Sequence, residues 1–135
     1  MEWSLHPQLA KLTTMVGDLA LSRVLLENNS NYPWLILVPR MAGISEIIDL
    51  DPNEQVQLMG EIDAAARALK SVATFDKLNI AALGNVVAQL HVHVIGRRHS
   101  DPAWPKPVWG LAPPVPYSTA ARDELIVNLR RALKL

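Results

Sequence analysis

The spacing of apolar residues predicts two neighbouring strands in the first third of the chain. Residues 18–28 and 32–40 are both rich in aliphatic side chains, and the turn-forming run Asn-Asn-Ser-Asn joins them. Turn formers between two extended runs are typical of an antiparallel hairpin. A short opening helix is predicted over residues 7–12, where Pro7 suits the first turn.

A longer helix is predicted after this hairpin, because the apolar positions change to steps of three and four residues. Asp51 is placed to cap it, Pro52 suits its first turn, and Glu54 stands where a capping box needs it. These positions predict one buried apolar stripe along the helix: Val56, Met59, Ile62, Ala66 and Leu69. A second hairpin is then predicted from residues 77–83 and 88–96, which have strand composition on either side of a Gly-Asn break.

The last third of the chain predicts a loop followed by a helix. Residues 100–116 hold six of the ten prolines, which excludes a helix or a central strand there. Trp104 and Trp109 are expected to anchor this loop, or alternatively to border a pocket. An amphipathic helix is predicted over about residues 118–133, where a serine or threonine can cap its start. The order of strands, helix, strands, helix predicts one α+β domain over residues 1–135, with a mainly antiparallel sheet.

Composition narrows the class of protein. Half of the 135 residues are hydrophobic and 19% are charged, as in a folded globular domain. Thirteen basic residues balance thirteen acidic ones, so no overall charge attracts nucleic acid or an anionic membrane. The lack of cysteine excludes disulfides and cysteine-ligated zinc. With no signal peptide pattern and no apolar run of roughly twenty residues, a soluble cytoplasmic protein is expected.

The candidate chemistry lies in the run "QLHVHVI", residues 89–95. Side chains alternate along a strand, so Gln89, His91 and His93 share one face while the leucine and valines share the other. The aliphatic side is the core side, and the polar side must meet water, a ligand or polar partners. A solvated sheet face is one interpretation. A metal site is another, but His6 and His99 are the only other histidines and the run has no acidic residue.

A histidine that faces a phosphate is the third interpretation. Gly84 and Asn85 offer backbone N–H groups in a tight turn, which is a common way to bind anions. Arg97 and Arg98 directly follow the histidine run and are placed to neutralise phosphate, with Arg97 as a candidate binding residue.

The same residues resemble a known family. "QLHVHVI" is similar to the histidine-triad (HIT) motif, His-φ-His-φ-His-φ-φ with φ apolar, with glutamine in the first position. The resemblance extends over residues 18–98, with hairpin, helix, asparagine-bearing strand, glycine turn and triad strand in the family's order. It implies a sheet of about five strands with a central helix and a C-terminal helix. The proline-rich segment resembles the version found in a bacterial branch of the family.

The resemblance implies an activity and its residues. Family members are usually homodimeric nucleotide hydrolases or transferases, in which the middle histidine, here His91, attacks the α-phosphorus of a nucleoside phosphate ester, phosphoramidate or dinucleoside polyphosphate. His93 matches the histidine that contacts the phosphate or leaving group. No cofactor and no protein-bound metal site are expected, and Mg²⁺, if it takes part, is expected to arrive with the substrate. The alternative is a nucleotide-binding module with little or no turnover.

The resemblance also implies binding residues. Gly84 and Asn85 match the turn that touches the phosphates, and Asn79 matches an asparagine on the phosphate or leaving-group side. Asn28 is the candidate for the ribose contact, with Glu27 as the near alternative. For these last three residues, a polar strand end or turn is an equally good interpretation.

Three positions depart from the family pattern. Gln89 replaces the first triad histidine, and Trp34 stands where many members have a further histidine that meets it, so the two are expected to form a paired change. The main-chain carbonyl of Gln89 is still expected to hold the second ring nitrogen of His91. Val86 replaces a serine or threonine that contacts phosphate. That removes one hydrogen bond to a charged group, worth about 1.5–3 kcal/mol, and predicts slower turnover or different substrates.

Overall fold

The structure, a computed structural model, describes residues 2–135. One antiparallel sheet of five strands has the order β1-β2-β3-β5-β4, and three α-helices accompany it. The predicted α+β class is confirmed. In chain order the elements are α1 (Pro7–Leu12), β1 (Thr13–Asp18), β2 (Ser22–Glu27), β3 (Trp34–Pro39), a 3₁₀ turn (Ile47–Asp49), α2 (Pro52–Val72), β4 (Lys77–Ala81), β5 (Val92–Arg97) and α3 (Thr119–Ala132).

The predicted first hairpin is β2 and β3, and the opening helix is also present. Sequence reasoning missed β1, the edge strand that pairs with β2. Its residues include two threonines and a glycine, and its pairing is irregular between Met15 and Gly17. A short, bulged edge strand has no clean two-residue alternation, so its apolar pattern is weak.

The start of α2 is capped as predicted. The Asp51 carboxylate accepts from the Glu54 backbone N–H at 2.8 Å, and the Glu54 carboxylate accepts from the Asp51 N–H at the same distance. This reciprocal pair satisfies two backbone donors that a helix start leaves free.

The predicted apolar stripe of α2 is partly wrong. Val56 and Met59 are 73% and 66% exposed, whereas the buried face consists of Leu58, Glu61, Ile62, Ala65, Ala68 and Leu69. Glu61 belongs to that face because its carboxylate accepts the backbone N–H groups of Leu21 and Ser22 where β2 begins. Because Glu61 makes these long-range hydrogen bonds, the buried face of α2 differs from the apolar stripe that hydrophobicity alone predicts.

Two apolar clusters cover the two faces of the sheet. One lies between the sheet and helices α2 and α3, and it includes Leu90, Val92 and Val94, the predicted core side of the histidine run. The second lies on the opposite face and includes Trp34 and Ile36 from β3, with residues of the N-terminal segment and the proline-rich loop. The face that carries the histidines is therefore covered by protein.

The connection between β4 and β5 is longer than the predicted tight hairpin. Residues 82–91 form a loop, in which Gly84 has a left-handed backbone with φ of 75°. Leu90 donates its N–H to the carbonyl of Ile44, which lies in a loop, and so this backbone hydrogen bond is not part of the sheet. His91 consequently lies one residue before β5, and His93 lies within it. None of the helices formed by residues 2–135 combines the length and the apolar character needed to cross a membrane.

Candidate active site

His91 and His93 line one cavity of about 370 Å³. Its walls come from α1, the ends of β2 and β3, the loop before β5 and the proline-rich loop: Gln8, Leu9, Leu12, Glu27, Trp34, Ile36, Leu83, Gly84, Asn85, Val86, Val87 and Trp109. The two imidazoles are 7% and 6% exposed, with ring centroids 5.0 Å apart. A solvated sheet face is therefore the wrong interpretation of this run.

His91 is held by main chain. Its Nδ1 lies 2.7 Å from the carbonyl oxygen of Gln89, as expected. A carbonyl only accepts hydrogen bonds, so Nδ1 carries the ring proton of the neutral side chain and Nε2 keeps its lone pair. The ring thus presents a basic nitrogen in the cavity.

His93 contacts Trp34 from the neighbouring strand. The indole Nε1–H donates to Nδ1 of His93 over 3.1 Å, and the two rings pack edge to face. Burial, together with the positive charge of a protonated His91, lowers the pKa of His93 to about 4. His93 is neutral at pH 7.

The loop with Gly84 and Asn85 forms one rim of the cavity. Val86 follows on the same rim and is 82% exposed, an unusual position for an apolar side chain. It brings no hydroxyl to the rim.

Arg97 was expected to bind phosphate, but its side chain is 1% exposed and lies outside the cavity. The structure corrects that expectation. Its guanidinium donates to Asp101 at 2.7 and 3.0 Å and to the side-chain oxygen of Asn79 at 2.8 Å. It also lies 5.6 Å from the ring centres of Tyr32 and Trp104. These contacts hold the proline-rich loop against the sheet, and neither Arg97 nor Asn79 lines the histidine cavity.

Trp104 anchors this loop as expected, whereas Trp109 supports the alternative interpretation. The Trp109 ring lies 5.0 Å from His93 and 5.9 Å from Trp34, centre to centre. It lines the histidine cavity and also a neighbouring cavity of about 380 Å³.

Asn28 and Glu27 take different positions. Asn28 lines only the neighbouring cavity, and its side-chain oxygen accepts from the Tyr117 N–H at 3.0 Å. Glu27 lines both cavities. Burial raises the pKa of Glu27 to about 7. The alternative candidate, Glu27, is thus the carboxyl group that the fold brings to the histidines.

Replacing Glu27 with glutamine is predicted to stabilise the protein increasingly as pH rises. The carboxyl has an ordinary pKa of 4.5 and a folded pKa of about 7. Between these values the unfolded chain loses a proton that the folded protein keeps, so the wild-type free energy of unfolding falls as pH rises. The difference between Glu27→Gln and wild type should grow by on the order of 3 kcal/mol from pH 4 to pH 8. Urea unfolding of both proteins across this range measures it, and a difference independent of pH would contradict the buried carboxyl.

Gln89 and Trp34, which were expected to be a paired change, make separate contacts in the structure. The Gln89 side chain accepts from the His6 backbone N–H and donates to the Ser4 carbonyl, both at 2.8 Å. Trp34 instead contacts His93. Gln89 therefore attaches the N-terminal segment, which leads into α1 and hence into the Leu9 and Leu12 wall of the cavity.

Gln89→Ala is predicted to release the N-terminal segment. Losing two hydrogen bonds to main chain should cost about 1–2 kcal/mol of local stability. Hydrogen exchange of peptides within residues 2–12 should become faster, with other regions unchanged. Gln55→Ala is the matched control, because Gln55 also donates to two carbonyls, Ile47 and Leu50, in another part of the fold. Unchanged exchange in residues 2–12 of Gln89→Ala would contradict this role.

Sequence reasoning missed the α1 wall of the cavity. Leu9 and Leu12 look like ordinary apolar residues of a short helix, and only the fold brings them to the histidines. Across residues 2–135, no three histidine or acidic side chains stand close enough together to hold a metal ion.

The family model of the HIT domain matches residues 9–100. The chain belongs to the HIT domain family. The match spans the histidine run, the preceding helix and all five strands. A comparison with curated proteins gave no match.

Solved structures of three histidine triad proteins share this HIT fold over nearly the whole chain. The protein from Bradyrhizobium japonicum is 53% identical, with 98% of this chain and 99% of that chain covered and a TM-score of 0.95. The protein from Marinobacter aquaeolei is 43% identical, with 99% and 98% covered and a TM-score of 0.95. The protein from Sinorhizobium meliloti is 39% identical, with 96% of each chain covered and a TM-score of 0.93.

Proposed function

We propose that the protein is a nucleotide hydrolase or nucleotidyl transferase that acts at an α-phosphorus through His91. One observation carries the proposal: His91 has Nδ1 bound to the Gln89 carbonyl and so presents an unprotonated Nε2 in a cavity of about 370 Å³. Membership of the HIT family supports nucleotide phosphate chemistry at this position. A homodimer remains a prediction from the family resemblance, and a cytoplasmic location remains a prediction from the sequence pattern.

The proposed reaction has two displacements. His91 Nε2 attacks the α-phosphorus, the N–P bond forms, and the leaving group departs with the electron pair of its bond to phosphorus. The Nδ1–H hydrogen bond to the Gln89 carbonyl stabilises the positive charge that develops on the ring. Water, or another acceptor, then attacks the phosphorus, the N–P bond breaks with its electron pair returning to His91 Nε2, and the proton of the attacking group passes to the solvent or the leaving group. No cofactor takes part.

The phosphate in this reaction is bound without a basic side chain. No lysine or arginine is among the described residues that line the histidine cavity. We propose that the Gly84–Asn85 turn and the His93 ring supply the N–H donors instead. The exposed Val86 side chain adds no further donor, which is consistent with slow turnover.

The rest of the nucleotide fits the apolar side of the cavity. Leu9, Leu12 and Ile36 offer a wall for the base, and Glu27 lies where the cavity meets its neighbour. We propose that Glu27 rather than Asn28 accepts hydrogen bonds from the ribose hydroxyl groups. The side-chain oxygen of Asn28 already accepts a hydrogen bond from the Tyr117 N–H. A carboxyl beside two cavities can reach a hydroxyl-bearing ring that spans them.

The second candidate function is a nucleotide-binding module with little turnover, which Val86 and the lack of cavity cations favour. Release of nucleotide from adenosine phosphoramidates and dinucleoside polyphosphates, measured beside the affinity for AMP, separates the two. The enzyme proposal predicts release above the uncatalysed rate for at least one substrate. Binding of AMP without any release would instead support the binding module, and the absence of both would overturn both.

A further inference from the structure

The contact between Trp34 and His93 determines where the proton of His93 lies. An indole nitrogen can only donate a hydrogen bond, because its lone pair belongs to the aromatic ring. The His93 Nδ1 that lies 3.1 Å from it must therefore be an acceptor without a proton. In the neutral ring the proton is then on Nε2.

The two histidines of the cavity consequently have opposite tautomers. His91 has its proton on Nδ1, fixed by the Gln89 carbonyl, and its Nε2 is bare. His93 has its proton on Nε2, fixed by Trp34. With the rings 5.0 Å apart, one imidazole offers a lone pair and its neighbour offers an N–H group.

Trp34 has little freedom to turn away from this contact. Its side chain is 6% exposed, and its ring packs edge to face against Tyr32 at 6.3 Å and Trp109 at 5.9 Å. A protonated His93 would point an Nδ1–H at the indole N–H, so the same contact disfavours the cation. The other titratable groups that line the cavity are His91 and Glu27.

We propose that Trp34 is a positioning residue that fixes His93 as a neutral Nε2–H donor to the phosphate oxygens or the leaving atom. The catalytic part of this inference rests on the proposed function, whereas the tautomer does not. As a neutral donor, His93 stabilises developing negative charge through a hydrogen bond and keeps its proton throughout. Trp34 itself touches no reacting atom.

Nitrogen-15 NMR of the ring nitrogens tests the tautomer without any substrate. Wild-type protein should show His93 with a protonated Nε2 and an unprotonated Nδ1 at pH 7. Trp34→Phe keeps an aromatic ring but removes the N–H, and it should give a mixture of the two tautomers. Trp109→Phe is the matched control, since Trp109 packs on His93 at a similar centre-to-centre distance without a hydrogen bond to it, and its tautomer should stay as in wild type.

Activity supplies the second measurement. Trp34→Phe should lower kcat about tenfold, as expected for loss of an oriented donor, with a change in KM of less than threefold. Wild-type His93 protonated at Nδ1, or an unchanged tautomer in Trp34→Phe, would overturn the inference. If Trp34→Phe does not fold, the wild-type spectrum still decides. Wild-type protein with the predicted tautomer but no turnover would refute the proposed function and leave only the tautomer set by Trp34 in place.

Discussion

His91→Ala is expected to lower kcat/KM for nucleotide release by on the order of 10⁴-fold, equivalent to about 5.5 kcal/mol. The reason is that alanine removes the atom that would form the bond to phosphorus, and no other group in the cavity can replace it. His93 has its Nδ1 bound by Trp34 and, as a neutral ring, its proton on Nε2, so it has no lone pair to offer. Nucleotide affinity should change less than threefold, because the cavity wall and the Gly84–Asn85 turn remain.

Steady-state kinetics and calorimetric titration with AMP measure the two quantities separately. His99→Ala is the matched control, since the His99 side chain is 71% exposed and lies outside the cavity, and it should retain wild-type kcat/KM. Release by His91→Ala within tenfold of wild type would show that His91 is not the nucleophile. A loss of affinity as large as the loss of rate would instead show a binding role.

Arg97→Met is expected to lower the free energy of unfolding by about 3–5 kcal/mol. Methionine has a similar length, so the main loss is the charge that pairs with Asp101. The Asp101 side chain is only 2% exposed, so the variant leaves the Asp101 carboxylate buried without the cation that pairs with it. Burial opposes its ionisation, but hydrogen bonds from Arg97, Arg98 and Trp104 hold the pKa of Asp101 at about 2.

Chemical denaturation at pH 7 measures this loss. Arg67→Met is the matched control, because Arg67 pairs with Asp63 on the surface, where the two side chains are 79% and 61% exposed, and it should cost less than about 1 kcal/mol. The stability due to the low pKa of Asp101 is present above its ordinary value of 3.8 and is lost as pH falls toward 2. Arg97→Met with stability near that of Arg67→Met would contradict a structural role for the buried pair.

The pattern of residues along the sequence predicted much of the fold, because caps and the alternation of faces depend on interactions between residues close in sequence. The cap at Asp51 and the alternation around His91 depend on residues within a few positions of each other, and both are present in the structure. The buried stripe of α2 was partly wrong for the opposite reason. Glu61 belongs to the buried face through contacts some forty positions away, at Leu21 and Ser22, which no periodicity reveals.

In the candidate site, too, features set by neighbouring residues could be predicted, and features set by distant residues could not. Adjacent residues in the sequence indicated both the histidine pair and Gly84 with Asn85, and the structure places all four at one cavity. Arg97 was misjudged because its partners Asp101 and Asn79 become visible only in the fold. The partners of Gln89 are 83 and 85 positions away, so its role in attaching the N-terminal segment could not be predicted from the run that contains it.

A covalent adduct on His91 is the most direct test of the central claim. Rapid quenching of wild-type protein during turnover of an adenosine phosphoramidate, under alkaline conditions that preserve N–P bonds, allows mass spectrometry of the peptide that contains His91. The two-step reaction predicts an added adenylyl group on this histidine, present in wild type and in His99→Ala but absent in His91→Ala. Efficient turnover with no adduct, or an adduct that persists on another residue of His91→Ala, would contradict it.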